Sequence, residues 1–187
     1  MDWAYINWLE STWAIVLPIH IWYNQEELKE ILDQINGVLL QGSSRLLNFS
    51  SKWEINERYI FNYTLENHLP IFGICFGFRI LNLFLVKNNS YIIRMRNHGN
   101  HKVDKVELIE NITKKSTLFS LFKGKDFESF EKNDTTIFIH RFGITPEMFY
   151  NKKYLVDNFI LTSFSYDLDG VKFIDSIEMI IFILYFL

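Results

Sequence analysis

A single cysteine, Cys75, stands in 187 residues, which excludes an intrachain disulfide framework. No basic stripe with interleaved aromatics runs along the chain, and the net charge is −3, so nucleic acid is excluded as an expected partner. Lys114, Lys115, Lys123 and Lys125 form a loose basic group, but Asp126 and Glu128 follow at once, as on a solvated face. No apolar run reaches the ~20 residues that a membrane-spanning helix needs. The longest terminal one, Met179–Leu187, has the sequence MIIFILYFL and reads as a last buried strand or helix, or as an aberrant end. Met1-Asp2-Trp3 leads directly into a helical pattern, with no basic region or apolar core of a signal peptide. There is no internal repeat, and no linker polar enough to divide residues 1–187, which are read as one domain.

What is present is apolar: 49% hydrophobic residues and 17% aromatics, a globular composition with a substantial core. Five Asn-x-Ser/Thr triplets begin at Asn48, Asn62, Asn88, Asn111 and Asn133. They are glycosylation acceptors if the chain is secreted, although Asn-rich sequences also produce them by chance.

Tyr5–Glu10 reads as the end of a helix and Ala14–Ile19 as a buried strand. Asn24 to Glu27 has the form of a capping box, after which Leu28, Ile31, Leu32 and Ile35 recur at helical spacing. Gly37–Leu40 is a short strand ending in the loop Gln41-Gly42-Ser43-Ser44, and a helix falls within Trp53–Glu66. Leu69–Ile74 is a further strand and Phe76–Val86 an apolar helix. This alternation predicts an α/β fold with a flavodoxin-like, doubly wound, mostly parallel sheet. The second half carries strand patterns at Tyr91–Arg96, Val103–Ile109, Thr135–His140, Phe159–Ser165 and Val171–Ile177.

Gly73-Ile74-Cys75-Phe76-Gly77, between an apolar strand and an apolar helix, is a nucleophile elbow with sulfur in place of a hydroxyl. Small residues two positions either side leave room for the turn. The helix start would favour thiolate and would place the Phe76 amide where an oxyanion is received. The alternative is an inert buried cysteine between packing glycines. The Gly42-Ser43-Ser44 loop lies at the carboxyl ends of the strands and offers a second amide, or is an ordinary strand-to-helix loop.

Several blocks in order resemble the gamma-glutamyl hydrolase family, whose fold is of the class I glutamine-amidotransferase type. They are Tyr5-Ile-Asn-Trp-Leu-Glu10 with Ala14–Ile19, Ile35-Asn-Gly-Val-Leu-Leu40 with Gly42 and Ser43, and Leu69–Phe78. His140-Arg-Phe-Gly-Ile-Thr-Pro146 and Phe173–Glu178 complete the series, which runs from about residue 2 to 178. The resemblance implies hydrolysis of gamma-linked glutamates from folylpoly-gamma-glutamates, or from other gamma-glutamyl peptides, through a thioester and without a cofactor or metal. It implies Cys75 as nucleophile, the Phe76 and Ser43 amides as oxyanion donors, and His140, Gly42 and Arg79 on the substrate side. His140 read alone is equally a cap at a strand end. A vacuolar, lysosomal or extracellular location goes with the family, and homodimerisation is kept open.

The chain departs from the pattern in four places. Gln41-Gly42-Ser43 stands for Pro-Gly-Gly, and Arg79 stands where the family has Gln or Glu. The strand that normally precedes the Tyr5 helix is not seen. After Glu178 the family continues into a segment bearing the general-base histidine, whereas this sequence reads MIIFILYFL. None of His20, His68, His98 and His101 replaces that base convincingly. Impaired catalysis, an exposed sheet edge and poor solubility are therefore expected. A non-catalytic relative that binds a gamma-glutamyl ligand, or another amidotransferase-like hydrolase, are the alternatives.

Overall fold

The computed structural model describes residues 3–88, 91–94, 102–122, 124–133, 136–138, 140–180 and 184–186. His98, His101, the far end of the Tyr91–Arg96 strand, Thr135 and Ile139 lie outside them, as do residues 181–183 and 187 of the terminal run.

The first half follows the predicted order. Helix α1 is Trp3–Glu10 and α2 is Gln25–Leu32. Asn24 caps α2 through a reciprocal box: its Oδ1 accepts from the Glu26 and Glu27 amides, and Glu27 Oε2 accepts from the Asn24 amide. This satisfies donors that a helix start leaves open. Leu28 and Leu32 of α2 are fully buried. Strand β1 (Val38–Leu40), helix α3 (Lys52–Glu66), strand β2 (Ile71–Ile74) and helix α4 (Phe76–Val86) follow. Helix α4 carries the centre of the core, with Phe78, Ile80, Leu81, Leu83 and Phe84 buried against Ile60, Phe61 and Ile71. A helix apolar on nearly all sides has to be enclosed, and this one is, apart from Arg79 and the terminal Val86.

The later strands are β3 (Ile93–Arg94), β4 (Lys102–Asp104), β5 (Glu107–Leu108), β6 (Thr136–Phe138), β7 (Phe142–Gly143), β8 (Phe159–Tyr166), β9 (Lys172–Met179) and β10 (Leu184–Phe186). One sheet of six strands has the order β1-β2-β10-β9-β8-β5. The β1–β2 and β2–β10 pairs are parallel, and β10–β9, β9–β8 and β8–β5 are antiparallel. The α/β architecture is the expected one, with its parallel part confined to the strands around Cys75. The β8–β9 hairpin turns through Asp167, whose Oδ1 accepts from the Asp169 and Val171 amides, and Gly170 at φ +75°. Such a tight turn joins only antiparallel strands, which is why the second half departs from the parallel pattern.

Three expectations are corrected. Ala14–Ile19 is not a strand: Ile15 is 99% and Leu17 52% exposed, and among the described residues the sheet ends at β1. Apolarity supplies neither a hydrogen-bonding partner nor a surface to bury against, and the run finds no strand to pair with. Val103–Ile109 is not one strand, because the chain breaks at Lys105 and Val106. Strand β4 there pairs with β6 and β5 with β8, in separate sheets. The edge of β2 expected to be exposed is covered, since β10 from the apolar terminal run lies between β2 and β9.

Candidate active site

Cys75 sits between β2 and α4, at φ +53° and ψ −101°. Positive φ is strained for a residue with a Cβ, and such strain is held only where the surroundings impose it. Here the close packing of α4 on β1 imposes it. A Cβ on Gly77 would come 2.1 Å from the Leu40 carbonyl oxygen, and one on Gly73 2.8 Å from the Phe78 nitrogen. The glycines let helix and strands approach closely enough to force the turn.

The Phe76 and Ser43 backbone amides both act on the Cys75 thiol and favour its charged form. Phe76 is the first residue of α4, and Ser43 lies in the loop after β1. The parallel register sets Leu40 opposite Gly73, so the β1 loop opens beside the cysteine turn. Ser43 Oγ accepts from the Arg45 amide at 3.0 Å, and so bends the loop back on itself. Gly42 lies closer still: a Cβ there would be 3.4 Å from Cys75 Cβ and 2.7 Å from the Tyr5 hydroxyl oxygen.

Burial is the largest influence on the thiol and pushes its pKa up. The Phe76 amide, the Arg79 charge and the Ser43 amide pull it down without overcoming that cost. The expectation of a thiolate favoured by the helix start is thus corrected: those influences act, but desolvation outweighs them. The resting thiol is protonated at neutral pH.

Arg79 follows Cys75 by one helical turn, its amide bonded to the Cys75 carbonyl at 3.0 Å. Its guanidinium carbon lies 4.7 Å from the Phe76 ring centroid and 5.1 Å from that of Phe142. Burial lowers its pKa, and Cys75 raises it. Arg45 covers the same Phe76 ring at 4.6 Å and is held by both Glu57 oxygens, at 3.0 and 2.8 Å. Burial lifts Glu57 to about 7 even against the opposing effect of Arg45.

His140 is half-buried, its ring set edge-on to Phe173 with centroids 5.1 Å apart. Its Nδ1 lies 3.0 Å from the Phe142 carbonyl oxygen. A carbonyl only accepts, so Nδ1 carries the proton and Nε2 the lone pair. Burial lowers the His140 pKa, the Phe142 bond opposes this, and Arg79 adds to the lowering, which leaves the ring neutral near pH 7. His140 therefore lies within electrostatic reach of Arg79, and Arg79 of Cys75. His20 is elsewhere, stacked on Trp22 at 4.8 Å.

All six candidate residues belong to this neighbourhood: Cys75, Phe76, Ser43, Gly42 and Arg79 closely, and His140 through Arg79. Sequence reasoning missed Tyr5 and Arg45. Tyr5 belongs to the opening block that carries the resemblance, which was its signal. Nothing local marks Arg45, whose partners Glu54 and Glu57 lie on α3. Among the described residues no group of three His, Cys, Asp or Glu side chains could hold a metal. No described helix is long and apolar enough to cross a membrane.

The architecture is that of the class I glutamine-amidotransferase domains. A GMP synthase component from Thermoplasma acidophilum superposes over all of the chain and 77% of its own length, with TM-score 0.60 and 15% identity. The glutaminase domain of Trypanosoma brucei CTPS, solved with bound acivicin, matches over 92% of the chain and 72% of its own length, also at TM-score 0.60, with 14% identity. The chain belongs to the peptidase C26 family, which matches residues 1–146. It is 26% identical to gamma-glutamyl hydrolase 2 of Arabidopsis thaliana over 94% of the chain, and 29% identical to the mouse gamma-glutamyl hydrolase over the same share. It spans about half the length of these curated relatives, 50% and 55% respectively.

Proposed function

We propose that the protein is a cysteine-type omega-peptidase that cleaves gamma-glutamyl bonds, with folylpoly-gamma-glutamates as substrates. The observation that carries this reading is the convergence of two backbone amides on the sulfur of a strained strand-to-helix turn in a peptidase C26 chain. Cys75 attacks the gamma-carbonyl carbon, and the Phe76 and Ser43 amides receive the developing oxyanion. The C–N bond breaks and the amine leaves with the proton that the thiol gives up; water then adds to the thioester, its hydroxyl forming the acid and its proton restoring the thiol. Gly42, His140 and Arg79 line the substrate side. Neutral His140, with its lone pair on Nε2, orients substrate rather than presenting a second cation.

Turnover in this reading is slow. The thiol is protonated at rest, and the group whose charge acts on it among the described residues is Arg79, which accepts no proton. A positioned acid or base contributes about 10²–10⁴-fold to such steps. The test is glutamate release from folate penta- and diglutamate by purified protein, with Cys75→Ser as control. No release above that control at any pH would overturn hydrolysis. The protonated thiol favours a second reading, a non-catalytic gamma-glutamyl-binding relative. That reading predicts calorimetric binding of the same ligands without release. A vacuolar, lysosomal or extracellular site of action accompanies the first reading and is checked by imaging a tagged protein.

A further inference from the structure

Two guanidinium groups flank the Phe76 ring, and their charges are matched differently. Arg45 is held by Glu57 at 2.8 Å and by Glu54 at 3.6 Å, so carboxylates already meet its charge. Arg79 has its apolar faces on Phe76 and Phe142, and Nη2 makes one long bond, 3.4 Å, to the Arg45 carbonyl. Its Nε is buried with no hydrogen-bond partner among the described residues, and no carboxylate among them acts on its charge. A desolvated cation with spare planar donors beside a nucleophile is costly to keep unless an anion visits it.

We propose that Arg79 is the specificity-determining group of this site and takes the carboxylate of an anionic acyl donor, here the α-carboxylate of the gamma-glutamyl unit. Naming that unit rests on the hydrolase reading above; the carboxylate preference itself does not. In a gamma-glutamyl group the α-carboxylate carbon is four C–C bonds from the acyl carbon, a span on the order of 5 Å. Residues four apart on a helix are separated by about 6 Å along its axis, and long side chains lean toward the helix start. The guanidinium over Phe76 is therefore at the right reach from a carbonyl held at Cys75. The guanidinium fork binds a carboxylate through two parallel N–H donors. An amide or ester lacking that carboxylate leaves the fork unpaired.

Because Cys75 is the chain's single cysteine, alkylation reports on this site without any turnover. The rates of 5-iodopentanoate and 5-iodopentanamide, in which the carboxylate or amide carbon is likewise four C–C bonds from the carbon that the sulfur attacks and which differ by one negative charge, are compared in the unaltered protein, in Arg79→Gln and in Arg79→Lys, with folding followed by circular dichroism. Expected are a carboxylate-to-amide rate ratio above that of free glutathione, an about tenfold fall of the ratio in Arg79→Gln, and partial recovery in Arg79→Lys. Free glutamate should shield Cys75 from 5-iodopentanamide in the unaltered protein and not in Arg79→Gln. A ratio in the unaltered protein no higher than that of glutathione overturns the proposal even if no variant folds. An equal fall for both reagents in Arg79→Gln also overturns it, and would make Arg79 a partner of the thiolate only. Charge selectivity without hydrolysis would retain the carboxylate site and sink the hydrolase reading.

Discussion

The Tyr5 hydroxyl accepts a hydrogen bond from the Gly42 amide at 3.2 Å, joining the first helix to the loop whose next amide acts on the Cys75 thiol. The contact spans 37 positions and anchors the Gly42-Ser43 loop.

Tyr5→Phe removes that acceptor and leaves a half-buried amide unpaired. The expected cost is about 1 kcal/mol, expressed as looser positioning of Ser43 and an about fivefold slower glutamate release. Thermal unfolding and release assays on the variant check this, and an unchanged rate would show that the loop holds itself.

Cys75→Ser is expected to abolish release while the fold stays intact. A hydroxyl attacks only with the help of a strong base, which the described residues do not place beside it, whereas a thiol depends on such a base less. Retention of the starting rate on a gamma-glutamyl peptide would remove Cys75 from the mechanism.

Gly77→Ala is expected to destabilise the protein by about 3 kcal/mol, because the added methyl meets backbone rather than a movable side chain. The urea midpoint measures it. A shift within error would mean that α4 can retreat from β1.

The pH dependence of Cys75 alkylation is expected to keep rising beyond the ordinary thiol pKa of about 8.5, since burial raises the folded pKa. The sign carries over to stability: the folded state holds that proton more tightly, so folding loses stability as pH rises through the ordinary thiol range. An inflection near 7 would contradict the dominance of burial.

Glu57 behaves in the same sense at lower pH. Its folded pKa of about 7 exceeds the ordinary 4.5, so between those values the unfolded chain holds fewer protons and stability falls as pH increases. Glu57→Gln should flatten the stability profile in that window, as followed by denaturant titration at several pH values.

Much of this protein was determined by the sequence alone, where the signals are contiguous. Asn24 and Glu27 announce a helix start because the reciprocal box closes within four residues. Gly73, Cys75 and Gly77 announce the elbow because room for the turn depends on the residues beside it. The span Phe76–Val86 is legible because a run of that length with only Arg79 and Asn82 polar has to be enclosed. Where a partner is needed, the same reading fails. Ala14–Ile19 has the composition of a buried strand but no edge to pair with, and Leu184–Phe186 is a strand only because β2 and β9 leave a slot for it. Only the tertiary structure brought the Ser43 amide and the Tyr5 hydroxyl to the surroundings of one sulfur, since loops and helices distant in sequence meet there through packing. It also decided the state of that sulfur. The sequence places a thiol at a helix start, which favours charge, but desolvation is a property of everything packed around the thiol, and here it is the larger effect.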